Sequence, residues 1–163
     1  KSVIMSEGCT FSGEKGMHKS NEWDQSRKYA HDIMGDLNSG LDMFIDWNIT
    51  LNEENGPCHW REGRAYCEAG IYCDTVNNEL VYSPNYYVIG QFSKFIRPGA
   101  ERLGISNFSA QLESTAFKNK DGSIAVVVYN NGNSEVRYTL RIHGKLLERR
   151  ALPKSVETIC FSE

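Results

Sequence analysis

The first fifty residues alternate between two short apolar runs and one segment with helical periodicity. Residues 3–7 and 41–45 are mostly apolar and partly β-branched, which is typical of buried strands. Between them, Tyr29, Ile33 and Leu37 recur every four positions within residues 23–38, so one face of a helix is apolar. Strand, helix and strand in this order predict two neighbouring βα units of a larger (β/α)8 TIM barrel.

The next segment is irregular as far as about residue 84, and a loop of that length is usually functional. Within it, residues 71–73 and 80–82 are strand-like and flank Asn77-Asn78, which predicts a short hairpin. Residues 86–96 have apolar positions at helical spacing, so we expect a second helix there.

The last third of the chain has short strands separated by turns. Val136, Tyr138 and Leu140 alternate with polar residues, as in an antiparallel strand that is buried on one face. Regular turn signals between such strands predict an antiparallel β-sandwich domain over residues 99–163, after a barrel portion over residues 1–98. The predicted strands of this second domain are residues 111–118, 123–129, 135–143, 145–152 and 156–161.

Length and charge narrow the class of protein. The chain has 163 residues, and a complete barrel needs roughly 200, so the first domain is expected to be part of a barrel. The net charge of −3 gives no basic surface for nucleic acid. No apolar stretch approaches the roughly 20 residues of a membrane span. We therefore expect neither nucleic acid as a partner nor a membrane span.

Five cysteines are present, and an odd number argues against a complete disulfide framework. Cys58, His59, Cys67 and Cys73 are residue types that bind zinc. However, no Cys-x-x-Cys pair is present, and their spacing fits no common structural zinc site. We expect no metal and no cofactor. Free thiols slightly favour a reducing cytoplasm as the location of the protein, but a secreted or lysosomal location stays open as well.

One carboxylate stands out as a candidate for catalysis. Glu7 ends the first strand, and barrel enzymes place their catalytic groups at the carboxyl ends of strands. Gly8 is expected to leave space beside it for a substrate. Trp47 ends the second strand, where its indole could stack on a sugar ring or pack in the core. Asp46 and Asn48 flank it and are expected to bind hydroxyl groups or to orient the indole.

Several motifs together resemble glycoside hydrolase family 30, and within it the glucosylceramidase (acid β-glucosidase) branch. The resemblance covers nearly the whole chain, in order and with close spacing. It implies the last two βα units of the family's barrel, followed by most of its β-sandwich. The motifs are Ser6-Glu7-Gly8-Cys9, Trp23-Asp24, Tyr29-Ala30-His31-Asp32-Ile33, Ile45-Asp46-Trp47-Asn48, Gly56-Pro57, Tyr86–Gly99 and Asp121–Val128.

The resemblance implies a role for each candidate residue. Glu7 would be the nucleophile of a retaining β-glycosidase that hydrolyses β-glucosides or glucosyl-lipids through a covalent glycosyl-enzyme intermediate. Cys9 would lie in the pocket wall and Trp47 would line the sugar site. A departure from the family pattern is Ala65, where family members commonly carry an asparagine at the entrance of the active site.

The family's acid/base glutamate belongs to an Asn-Glu pair at the end of an earlier barrel strand, upstream of residue 1. Asn21-Glu22, Asn52-Glu53 and Asn78-Glu79 occur here, but none of them follows a suitable strand. We therefore expect residues 1–163 alone to be inactive.

Two alternatives stay open. The sandwich could be a non-catalytic carbohydrate-binding or interaction module, for which exposed aromatic residues on one strand face would be the signature. The barrel portion could also pair with the missing N-terminal barrel portion or self-associate through its open strand edges.

Overall fold

A computed structural model describes residues 1–11, 13–18, 21–57 and 66–162 of the chain. The chain divides into two compact units, Lys1–Gly90 and Gln91–Glu163. The first unit contains a βα pattern and a small mixed sheet, and the second consists mainly of antiparallel strands. The predicted order of a partial barrel followed by antiparallel strands is thus confirmed, whereas the domain limit at residues 98/99 stays a prediction.

The first unit opens with a strand, a helix and a parallel strand. Strand β1 (Ile4–Gly8), helix α1 (Glu22–Asn38) and strand β2 (Met43–Asp46) follow one another, and β1 pairs with β2 in parallel. The pairing places Gly8 opposite Asp46, after an irregularity between Met5 and Gly8. The two strands therefore end at the same edge of this sheet.

Helix α1 packs through one face, and Gly40 follows its C-terminal end. Its buried residues are Ser26, Tyr29, Ala30, Ile33 and Met34, so the predicted apolar face is confirmed except for the half-buried Leu37. Gly40 has a φ of 96°, the left-handed conformation that favours glycine after a helix. Leu41 N donates to Asp36 O at 3.0 Å and Gly40 N donates to Leu37 O at 3.2 Å, which satisfies the last carbonyl groups.

The apolar side chains of β1 and β2 are more exposed than the sequence predicts. Ile4, Met5 and Met43 are 46%, 39% and 51% exposed. In the described chain this sheet consists of only two strands, so the apolar side chains have little to pack against.

The rest of the first unit is a three-stranded sheet and a second helix. Strand β3 (Thr50–Asn52) runs parallel to β4 (Ile71–Asp74), and β4 pairs antiparallel with β5 (Glu79–Tyr82), which confirms the predicted hairpin. Helix α2 (Pro84–Ser93) begins two residues before the predicted start. Proline is favoured at the first helical position, because a backbone N–H at that position would have no partner within the helix and its absence therefore costs nothing.

The second unit contains a four-stranded antiparallel sheet and a two-stranded sheet. The strands are β6 (Glu101–Leu103), β7 (Leu112–Lys118), β8 (Ile124–Asn130), β9 (Val136–Ile142), β10 (Lys145–Ala151) and β11 (Val156–Phe161). The larger sheet has the order β11-β8-β7-β6, and the smaller one pairs β10 with β9. The core of this unit lies around β8, all of whose residues are buried. Five of the six strands match the prediction closely, and β6 was missed.

Candidate active site

The candidate site lies where β1 and β2 end together. Glu7 is exposed near the end of β1, and Trp47 directly follows β2. Trp47 N donates a hydrogen bond to Gly8 O at 2.8 Å, so the backbone ties the two strand ends to each other. The structure therefore brings the predicted nucleophile and the predicted sugar platform to one rim.

Gly8 serves packing rather than substrate access. A Cβ atom at this position would overlap the ring of Phe44. Phe44 in turn contacts the ring of Tyr29 edge-on, with centroids 5.6 Å apart. The space beside Gly8 is filled by an aromatic side chain, so the expectation that it is open to a substrate is wrong.

A cavity of about 540 Å³ opens beside β1 and α1. Glu7 and Cys9 line it from the strand side, and the helix adds His31, Asp32 and Asp36. The helix residues were not among the predicted site residues. His31 and Asp32 are exposed on the helix, so both can reach solvent or a ligand in this cavity.

Asp46 is held by a tyrosine from the helix. Tyr29 is 2% exposed, and its hydroxyl donates to Asp46 Oδ1 at 2.5 Å. Burial raises the pKa of Asp46, whereas the hydrogen bonds from Tyr29 and from the Trp47 backbone lower it. Burial and the neighbouring carboxylate also raise the pKa of Tyr29. Sequence analysis missed this role because Tyr29 was counted only as a member of an apolar face.

Trp47 and Asn48 are both half-buried and are joined by a cis peptide bond. The Asn48 Nδ2 atom is buried and has no hydrogen-bond partner among the residues that the structure describes. A buried amide without a partner is uncommon, because its desolvation is then uncompensated. Asn48 therefore retains a donor that a bound hydroxyl group could satisfy.

Cys9 lies next to the candidate nucleophile and is half-buried. Burial, followed by a hydrogen bond with the side chain of Cys67, raises its pKa. The carboxylates of Asp46 and Glu7 act in the same direction. The raised pKa favours the neutral thiol over the thiolate in this wall of the site.

Two features of the sequence fall wholly or partly on residues 58–65, which lie outside the described residues. They are the departure from the family pattern at Ala65 and two members, Cys58 and His59, of the cysteine and histidine cluster for which no zinc is expected. In the part of the chain that is described, no group of three or more His, Cys, Asp or Glu residues could hold a metal ion. The described helices include none long and apolar enough to cross a membrane.

Aromatic residues of the sandwich bear on the alternative of a sugar-binding module. Tyr129 is 1% exposed, so it is enclosed in the core. Tyr138 is half-buried, its hydroxyl donates to Glu157 Oε1 at 2.9 Å, and it lines a cavity with residues of β9 and β10. Phe108 is 98% exposed but lies outside the regular strands.

Comparisons with known proteins give consistent matches over both units. Residues 2–96 match the glycosyl hydrolase family 30 TIM-barrel domain, and residues 99–159 match the glycosyl hydrolase family 30 beta sandwich domain. These matches agree with the fold class predicted from the sequence.

Individual relatives match most of the chain. The chain is 34% identical to mouse (Mus musculus) lysosomal acid glucosylceramidase over 142 residues, which are 85% of the chain and 27% of that protein. It is 30% identical to the endo-1,6-beta-D-glucanase neg1 of Aspergillus fumigatus over 85% of the chain and 29% of that protein. The solved structure of SrfJ from Salmonella typhimurium matches with a TM-score of 0.90 and 33% identity, over 100% of the chain and 35% of SrfJ. The chain thus spans about a third or less of each of these relatives.

Proposed function

The chain belongs to glycoside hydrolase family 30, and we propose that it supplies the nucleophile and part of the sugar site of a retaining β-glycosidase. The observation that carries this proposal is the position of Glu7, an exposed carboxylate at the shared end of two parallel strands, one residue before the Gly8 carbonyl that accepts from Trp47 N. Parallel barrels form their active sites at this end, because the following loops enclose a pocket there.

The surroundings of Glu7 support its proposed role as the nucleophile. Its side chain is exposed to solvent, and Gly8, which follows it, is held by the Phe44 ring and by the hydrogen bond from Trp47. In a retaining glycosidase the nucleophilic carboxylate forms a bond to the sugar as the glycosidic oxygen leaves, and water later breaks that bond. A fixed backbone at Gly8 would hold Glu7 in position through both steps.

Trp47 and Asn48 form the proposed sugar-binding part. The indole of Trp47 would stack on the apolar face of a sugar ring, and Asn48 Nδ2 would donate to a ring hydroxyl. The lack of a partner for that amide among the described residues supports this role. Asp46, whose Oδ1 accepts from Tyr29, would hold the backbone before Trp47 and so orient the indole.

We further propose that the general acid is supplied from outside residues 1–163, so that these residues alone do not turn over. A retaining site needs a second carboxyl about 5–5.5 Å from the nucleophile. Asp46 accepts from Tyr29 on the helix side, and Asp32 and Asp36 stand on α1 rather than at a strand end. Loss of general acid catalysis lowers a rate roughly 10²–10⁴-fold.

The proposed substrate is a β-linked glucoside, with a glucosyl-lipid as the first candidate. The mouse relative is a glucosylceramidase, and the Aspergillus relative is an endo-1,6-beta-D-glucanase. Both names refer to a glucosyl unit or a glucose polymer, and they differ in the group that is attached. Assays should therefore include a glucosyl-lipid and a β-1,6-linked glucan.

A 2-fluoro-glucosyl fluoride provides the sharpest test on this chain. Fluoride leaves without a proton donor, so the reagent can trap a covalent intermediate even where general acid catalysis is absent. Peptide mapping should then show one fluoroglucosyl group on Glu7. Glu7→Gln should abolish the label, whereas the matched control Glu79→Gln, an exposed strand residue, should keep it.

The same reagent defines the outcome that contradicts the proposal. A label on another carboxylate, or a label that survives Glu7→Gln, would remove Glu7 as the nucleophile. To supply the rest of the sugar site, residues 1–163 can replace the matching segment of mouse lysosomal acid glucosylceramidase, which is 27% of that protein. A folded chimera that hydrolyses glucosylceramide equally well with Gln at position 7 would also refute it.

A further inference from the structure

Residues 9–11 and 67–69 run antiparallel beside the candidate site. Phe11 and Cys67 form an antiparallel β-bridge, and Glu68 N donates to Thr10 O at 2.9 Å. In such a pair the side chains alternate between two faces. Because Phe11 stands opposite Cys67, Cys9 lies on that same face in the position diagonal to Cys67.

The bridge brings the two cysteines close together. Cys9 Sγ donates to Thr10 O at 3.5 Å, and the neighbouring Cys67 side chain contributes to the raised pKa of the Cys9 thiol. Both cysteines are half-buried rather than enclosed. Polar contacts fix the backbone on either side. The buried Asn85 donates from Nδ2 to Thr10 Oγ1 at 2.9 Å, and the buried Asn55 donates from Nδ2 to Cys67 O at 3.0 Å. The pair is therefore held together by structure that does not depend on the thiols themselves.

We propose that Cys9 and Cys67 are a redox modification site, at which a thiol–disulfide oxidant such as glutathione disulfide joins them in a disulfide. Diagonal positions in an antiparallel pair are about 7–8 Å apart, with Cβ atoms somewhat closer, whereas a disulfide needs Cβ atoms about 3.5–4.5 Å apart. The two backbone segments must therefore approach each other by roughly 2–3 Å before the sulfur atoms can bond. The inference goes beyond the glycosidase function and does not rest on it. It depends only on the pairing of two segments that are far apart in sequence.

The reaction balances with one molecule of glutathione disulfide. One protein thiol loses its proton to water, and the thiolate attacks a sulfur of the oxidant, expelling one glutathione thiolate. The second protein thiol, deprotonated in turn, attacks the protein sulfur of the mixed disulfide and expels the second glutathione. The two released thiolates take up the two protons. The two cysteines are oxidised by two electrons, and the oxidant is reduced to two glutathione molecules.

The crosslink would act on the mouth of the candidate site. Cys9 is two residues beyond Glu7, and Cys67 lies just before the three residues that lead into β4. A disulfide would tie the end of the long segment after β3 to the end of β1. Groups that face Cys9 are the Cys67 thiol, the carboxylates of Asp46 and Glu7, and the hydroxyl of Tyr29. The carboxylates disfavour a thiolate, so the rate should rise with pH above neutrality.

The test is a mapping of cysteine states in the folded chain. The chain is equilibrated with glutathione disulfide at pH 8, quenched in acid, alkylated and digested without reduction. We expect one dominant crosslinked pair of peptides, containing Cys9 and Cys67, two hydrogens lighter than the sum of the free peptides. The thermal unfolding midpoint of the oxidised, intact chain should rise by several degrees, because the crosslink restricts the unfolded chain. It should fall again when dithiothreitol reduces the disulfide.

Matched variants and an unfolded control decide the result. Cys67→Ser should abolish both the crosslink and the thermal shift, whereas Cys73→Ser, which removes a half-buried thiol in β4, should keep both. In 8 M urea the preference for this pair should disappear. Recovery of Cys9 and Cys67 as separately alkylated or glutathionylated peptides would overturn the proposal. So would a dominant crosslink from Cys9 to any other cysteine, or an equal yield of the Cys9–Cys67 pair in urea.

Discussion

The hydrogen bond between Tyr29 and Asp46 gives the most informative single substitution. Tyr29→Phe removes only the hydroxyl that donates to Asp46 Oδ1 at 2.5 Å. The ring remains, together with its edge-on contact to Phe44. Because Tyr29 is 2% exposed, water has little access to replace the lost donor. The substitution therefore isolates the polar link between α1 and the strand end that carries Trp47.

The size of the effect depends on pH. Burial raises the pKa of Asp46, while the Tyr29 hydroxyl lowers it. A carboxyl whose pKa is raised in the folded state stabilises the protein at low pH. This contribution is lost as the pH rises from about 3.9, the pKa of an exposed aspartate, through the pKa in the folded state. Without the hydroxyl the folded pKa rises further and this loss grows. We expect Tyr29→Phe to cost about 0.5–1.5 kcal/mol where Asp46 is protonated and about 1.5–3 kcal/mol where it is ionised.

Urea unfolding at a series of pH values from 3 to 8 measures this difference. Circular dichroism follows the helices, and tryptophan fluorescence, to which all three tryptophans contribute, follows the tertiary structure. Tyr87→Phe is a matched control, because it removes a hydroxyl from a side chain that is 57% exposed, and it should change little at any pH. In the Asp46→Asn background the cost of Tyr29→Phe should no longer depend on pH. A pH-independent cost in the native background would refute the reasoning.

Three further predictions concern packing, a buried amide and the sugar platform. Gly8→Ala should lower the free energy of unfolding, measured by urea denaturation, by about 1–3 kcal/mol, because the Phe44 ring must move. Gly35→Ala should raise the same free energy by about 0.5–1 kcal/mol, because α1 has open space at that position. Asn130→Asp should cost about 3 kcal/mol or more at neutral pH by the same measurement, since Asn130 Nδ2 donates to three carbonyl groups at 2.8–3.1 Å and a carboxylate would repel them. Trp47→Ala should slow fluoroglucosyl labelling of the chain about tenfold without changing the labelled residue, and an unchanged rate would remove the stacking role.

Local patterns predicted most of the secondary structure, because spacing along the chain controls it directly. The period of α1 and the strict alternation around Val136 each reflect one buried face. The same reasoning located Glu7 and Trp47 at strand ends, and parallel pairing then places both ends on one edge. The signal for the start of α2 was also available, since Pro84 fits the first position of a helix. Strand β6 was missed because three residues hold too little pattern.

Side-chain contacts between distant segments could not be predicted in this way. The Cys9–Cys67 contact joins residues that are far apart, and no periodicity links their positions. The Phe44 ring over Gly8 depends on how two strands pack, not on either strand alone. Tyr29 shows a further limit, because one residue type has both an apolar ring and a polar hydroxyl. Periodicity detected the ring, and only the fold showed that the hydroxyl binds Asp46.

The same rim carries two carboxylates in opposite environments, and this difference separates their roles. Asp46 is half-buried, accepts from Tyr29 and resists ionisation through burial, so it is suited to hold the strand end against the helix. Glu7 is exposed and borders an open cavity, so a substrate can reach it. Removing Asp46's charge should then alter the stability of the unit and the orientation of Trp47, while leaving the position of a covalent label unchanged. Removing Glu7's charge should abolish the label and leave stability nearly unchanged. A pair of variants with these effects exchanged would show that the assignment of nucleophile and positioning residue is reversed.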